Sequence, residues 1–127
     1  MPLVRISHLT GKSAERVAAL SDRVHRAMVD CFDVPLDDRF QIISAHDAGQ
    51  LVAPAEFLGL RHSNDVVFIQ ITCADGRSVE KKKALFAALA EGVSSAASIR
   101  PEDVIVNLVE TRRENWSFGN GLAPFAT

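Results

Sequence analysis

The sequence is poor in the features that mark several large functional classes. No run comes near the roughly eighteen consecutive apolar residues of a membrane-spanning helix, which excludes a helical span. No basic segment followed by an apolar core opens the chain, so no secretory signal is expected, and a cytoplasmic location is. Cysteine is scarce. Cys31 and Cys73 stand without companion pairs and are expected to be buried, reduced thiols. Cationic excess is missing too: 14 Lys and Arg against 16 Asp and Glu leave a formal charge of −2. A nucleic-acid-binding domain of this size carries a clear basic surplus, so no nucleic-acid partner is expected. Gly11-Lys12-Ser13 suggests a phosphate loop, but Ile6 stands where the motif needs its first glycine, and no dinucleotide fingerprint occurs. His8, His25, His46 and His62 show no ligand spacing, so neither metal nor organic cofactor is expected.

Hydrophobic residues, by contrast, make up 47% of the 127 positions. A chain of this length buries about two thirds of its unfolded surface and needs no staple, so residues 1–127 are expected to form one domain. Residues 3–7 alternate like a strand. From Ser13, an N-cap candidate, Val17, Leu20, Val24, Ala27, Met28, Cys31 and Phe32 recur at helical spacing until Pro35. Arg39 to Ala45 reads as a second strand. Residues 46–64 form a long connecting excursion with room for a short helical turn, and loops of that length are often functional. Val66 to Thr72 reads as a central strand. Ser78 to Ala96 follows as a helix with Leu85, Leu89 and Val93 inward and Phe86 beside them, and Val104 to Val109 as a last strand. The tail, 112–127, is turn-rich, with Trp116, Phe118 and Phe125 as anchors.

An internal repeat organises these elements. Gly11-Lys12-Ser13-Ala14-Glu15 matches Gly76-Arg77-Ser78-Val79-Glu80, and Ala19-Leu20 matches Ala84-Leu85 in the same register. Pro35-Leu36-Asp37 matches Pro101-Glu102-Asp103 one residue further on. Two β-α-β halves, about 2–45 and 66–110, follow, each with a right-handed crossover. The expected fold is α+β: a four-stranded mixed sheet with both helices on one face. Such a sheet leaves one face and its edges open, which association would cover.

Several polar residues have ordinary readings. Glu80-Lys81-Lys82-Lys83 reads as a solvated helix face. Asp37-Asp38 reads as a turn between helix and strand, and Arg77 as a surface residue matched by Lys12. Pro2 differs, because removal of the initiator methionine would expose a secondary amine.

Taken together, the repeat, Pro2, the segment Val34-Pro35-Leu36-Asp37-Asp38-Arg39-Phe40-Gln41 and the segment Asn115-Trp116-Ser117-Phe118-Gly119 resemble the tautomerase superfamily. Within it they are most similar to the malonate semialdehyde decarboxylases. The resemblance implies a homotrimer with a cofactor-free site at each amino-terminal proline and a small carboxylic acid as substrate. It places the catalytic base or acid on Pro2, the catalytic carboxylate on Asp38, the substrate-carboxylate clamp on Arg77, and apolar walls on Trp116 and Phe118. One departure stands out. Relatives can carry two closely spaced arginines before the second helix, whereas Thr72-Cys73-Ala74-Asp75-Gly76-Arg77 holds one. Asp75, if turned inward, would repel a carboxylate.

The implied reaction is loss of carbon dioxide from a 3-oxo acid, malonate semialdehyde giving acetaldehyde. A proline amine brought toward neutral pH by an apolar pocket and a nearby arginine suits acid–base work. Keto–enol conversion of a 2-oxo acid, with a hydratase side activity through Asp38, is the alternative, and a noncatalytic trimer of the same fold is a second.

Overall fold

Both helices start where the repeat places its serines. In the computed structural model, which describes residues 1–126, Ser13 caps α1 (Ala14–Phe32) by accepting from Arg16 N, and Ser78 caps α2 (Val79–Ala97) by accepting from Lys81 N. Both contacts are 3.2 Å. Each helix also ends on a left-handed residue, Asp33 at φ 55° and Ser98 at φ 56°. The glycines that open the two motifs, Gly11 and Gly76, sit at φ +99° and +110°, a region side chains disfavour. Replacing either Ser13 or Ser78 by alanine is expected to remove about 1 kcal/mol, read as a few degrees lost in Tm.

The strands are β1 (Leu3–Leu9), β2 (Gln41–His46), β5 (Val67–Ala74) and β6 (Val104–Thr111), in the order β2-β1-β5-β6. β1 pairs parallel with β2 and β5 with β6, while β1 and β5 run antiparallel, Leu3 facing Thr72. The sheet is therefore two parallel β-α-β units joined back to back. Each crossover is a 19-residue helix.

One sheet face and both helices make the core. Val4 and Ile6 of β1, Ile69 and Ile71 of β5, Leu20, Val24, Met28 and Phe32 of α1, and Leu85, Leu89 and Val93 of α2 are all buried. Phe86 is 38% exposed: one residue beyond Leu85 lies about 100° round the helix and leaves the inner stripe. Cys73 is buried as expected, but Cys31 is only half-buried at the helix flank. The opposite sheet face is uncovered and carries Arg5, Ser7, Gln70 and Asn107, with Ile42 and Val109 each 39% exposed.

The excursion contains no helical turn. Instead Glu56–Phe57 (β3) and Leu60–Arg61 (β4) form a small antiparallel hairpin turned by Leu58 and Gly59, both at positive φ. Asp103, 1% exposed, ties this segment down by accepting from Ser63 N at 2.7 Å and Ser63 Oγ at 2.6 Å. The lysine run is more engaged than a solvated face. Lys81 pairs with Asp33 at 2.5 Å and Lys82 with Glu110 at 2.9 Å. No helix is long and apolar enough to cross a membrane among the described residues.

Candidate active site

Parallel pairing of β1 with β2 brings the starts of both strands to one end of the sheet. Val4 N donates to Phe40 O at 3.0 Å, so Pro2, just before β1, lies beside the residues leading into β2. Pro35 turns the chain there: Asp38 N donates to Pro35 O at 3.0 Å, and His25 Nε2 donates to Leu36 O at 2.7 Å. That turn leaves Asp37 exposed and Asp38 half-buried. Asp38 Oδ2 accepts from the terminal ammonium of Met1 at 2.5 Å. Here the Met1 ammonium stands in, one residue outward, for the amine that Pro2 would carry as the terminus. The Pro2 nitrogen itself is an amide in this chain, and Pro2 is buried.

A pocket of about 260 Å³ opens at this point, lined by Met1, Asp37 and Asp38 and by the rings of Phe40, Phe118 and Phe125. Its aromatic wall is a cluster. Phe118 lies 5.3 Å from Phe40, stacks on Trp116 at 5.5 Å with planes 9° apart, and meets Phe125 edge-on at 6.3 Å. Trp116 backs this wall. Its Nε1 donates to Thr111 Oγ1 at 2.8 Å, and Thr111 Oγ1 donates to Cys73 O at 3.3 Å, fastening the tail to the sheet. Phe118 thus lines the pocket, and Trp116 supports it from behind.

Arg77 is half-buried beside the same end of the sheet and does not line the pocket. Its guanidinium lies 4.5 Å from the Phe32 ring centre and donates to Ala74 O at 3.2 Å and Phe32 O at 3.3 Å. Lys12, its counterpart in the repeat, makes a similar contact with Leu9 O but also pairs with Asp65 at 2.5 Å. Arg77 has no ion-pair partner among the described residues, which separates it from Lys12. Burial pushes the Cys73 thiol up, while Arg77 and, more weakly, the amino terminus act on it in the opposite direction. Glu110 adds to the upward push and Lys82 to the downward one. Asp75 is exposed, with its backbone N donating to Thr111 O at 3.0 Å.

A larger cavity of about 530 Å³ lies between the hairpin and β6, lined by residues such as Phe57, Leu60, Phe68 and Ile105. Its two titratable groups each have a partner: His62 donates through Nδ1 to Pro54 O at 2.7 Å, and Glu102 pairs with Arg100 at 2.5 Å. It holds no carboxylate beside an ammonium, and its lining is otherwise apolar, so the smaller pocket is the candidate site. Phe40 lies in a segment that carries the resemblance but reads locally as a strand residue, and Phe125 reads as a tail anchor. Their position on the wall depends on the tail folding back over the start of β2.

Duplicated β-α-β units with an acid and an aromatic wall at the amino end of the first strand define a tautomerase-fold enzyme. Two family models described as tautomerase enzyme match, one over residues 38–119 and the other over residues 2–61. The chain belongs to the tautomerase family. It is 35% identical over 127 residues to Probable tautomerase YrdN of Bacillus subtilis (strain 168), covering 100% of this chain and 98% of that one. Its fold is similar to malonate semialdehyde decarboxylase, solved in wild-type, mutant and inactivated forms as a basis for decarboxylase and hydratase activities. That match has a TM-score of 0.89 and 36% identity over 97% of this chain and 95% of the other. A fused 4-OT symmetric trimer matches with TM-score 0.81 and 25% identity over 95% and 94% of the two chains.

Proposed function

We propose that this enzyme is a cofactor-independent decarboxylase of a 3-oxo acid, malonate semialdehyde, acting with Pro2 exposed as its amino terminus. The observation that carries the reading is the ammonium–Asp38 contact at the edge of an aromatic-walled pocket. The cationic Pro2 amine donates a hydrogen bond to the aldehyde oxygen. The pair of the C–C bond joining carboxylate to methylene then moves into the new enolate, and carbon dioxide leaves. Proton return to carbon gives acetaldehyde. Asp38 orients the amine by accepting from it, as it accepts from the Met1 ammonium. Arg77 spends donors on two carbonyls and has others of its five N–H groups left for a carboxylate. The ring cluster of Phe40, Phe118 and Phe125 keeps water from the reacting carbon and strengthens these contacts.

A proton NMR time course of malonate semialdehyde tests this, using protein whose mass confirms Pro2 as the first residue. Acetaldehyde forming faster than in buffer is the expected result. Arg77→Ala should remove most of that turnover, and unchanged kinetics would sink its role as clamp. Failure with this acid and turnover of an enol of a 2-oxo acid would instead favour the tautomerase reading, which the name of the Bacillus relative supports.

The chain is further proposed to be a homotrimer, as the fused 4-OT is. Support comes from the uncovered sheet face and from apolar hairpin residues such as Leu58, 86% exposed. Light scattering giving a single-chain mass at micromolar concentration would contradict it.

A further inference from the structure

We infer that Arg113 is a second carboxylate-binding cation of this site, held at the pocket mouth by the ring of Phe125. The inference rests on the reading that the pocket takes a small acid. Its starting point is a charge problem. The pocket is lined by two carboxylates, Asp37 and Asp38, and the terminal ammonium there is already paired with Asp38. No Lys or Arg side chain lines it. An anionic substrate approaching such a lining is repelled unless a cation stands near the entrance.

The neighbouring cations are mostly occupied. Arg39, next to Asp38, is turned onto Asp22 and Ser21, at 2.7 Å from each. Arg77 lies behind, over Phe32. Arg112 is 3.8 Å from Glu114. Arg113 differs from them. It is exposed on the short 3-10 turn Arg113–Asn115, and its guanidinium carbon lies 5.4 Å from the centre of the Phe125 ring. Phe125 is itself a wall of the pocket. Among the described residues no carboxylate pairs with Arg113, and its side-chain donors have no acceptor.

A guanidinium resting on an aromatic ring keeps its N–H fork free, and that fork matches a carboxylate through two parallel hydrogen bonds. Arg113 thus supplies, from the tail, a positive charge that the segment before α2 provides only once. The two arginines divide the work. Arg113 captures the acid from solvent, which governs kcat/KM and its salt dependence, whereas Arg77 acts on the bound acid, which governs kcat.

The test uses malonate as a nonreacting probe with the full chain beginning at Pro2. Its Kd is measured by calorimetry, and the emission of Trp116, the single tryptophan, reports occupancy of this pocket. At about 20 mM salt, Arg113→Gln is expected to weaken malonate binding about three- to tenfold, and the difference should shrink at about 0.5 M salt. Arg113→Lys should keep most of the salt dependence, because the charge remains. For malonate semialdehyde, Arg113→Gln should lower kcat/KM by the same factor with kcat little changed. Equal malonate affinity in Arg113→Gln and wild type at low salt overturns the inference, as does a wild type that leaves malonate unbound. Absence of turnover in the wild type overturns the decarboxylase reading alone, since the malonate titration decides Arg113 separately.

Discussion

With Pro2 as the amino terminus, Pro2→Ala is expected to slow decarboxylation by about a hundredfold or more, the scale on which a positioned acid–base group contributes. Alanine keeps a terminal amine, so the loss measures what proline adds. The pyrrolidine ring fixes the backbone torsion and so the direction of the N–H groups, and it makes the amine secondary. Pro2 is buried but lies outside β1, so the variant's loss of stability in a melting curve should be small beside its loss of turnover. The fall should appear in kcat more than in KM, because the amine acts on the developing enolate. Protein that retains Met1 is a control without any side-chain change. Its Pro2 nitrogen is an amide and can neither donate nor accept the proton, so it should be at least as slow. Equal kcat in wild type and Pro2→Ala would remove Pro2 from the chemistry.

The second large effect is expected at Phe32. Phe32→Ala should destabilise the fold by about 3–5 kcal/mol, because it empties a fully packed position between α1 and the sheet. That is a large share of the roughly 5–15 kcal/mol holding a typical domain, and a urea titration would show it as a lower midpoint. Phe32 is 2% exposed, yet its ring also carries the Arg77 guanidinium. Phe32→Leu separates the two roles. It keeps most of the core volume, with an expected loss near 1 kcal/mol, but removes the face on which Arg77 rests. Turnover should then fall further than stability does. A Phe32→Leu enzyme with wild-type kinetics would show that the ring matters to the core alone.

The legible parts of this fold are those with a short-range cause. Ser13 and Ser78 precede periodic apolar runs, and a capping side chain acts within three residues, so the helix starts could be read directly. The core faces of α1 and α2 follow from the same periodicity. The hairpin at 56–61 was not legible, because two-residue strands carry no alternation and Leu58 adopts a positive φ that its residue type does not announce. The site divides the same way. Asp38 and Phe118 could be singled out through the resemblance of the segments around them, and the structure brings both to one pocket with Phe40 and Phe125. Arg77 lies apart from that lining, and Arg113 carries no local signal. Its position depends on a ring from the far end of the tail, and no local pattern encodes such a contact.

The pocket joins Asp38 and Phe40 to rings some eighty positions further along, Phe118 and Phe125. Its far wall hangs on a tail that is fastened to the sheet through Trp116 and Thr111 rather than by the core. Local opening of such a segment costs less than global unfolding. The site should therefore come apart before the fold does: on gentle heating, turnover should fade while the helices and sheet are still intact.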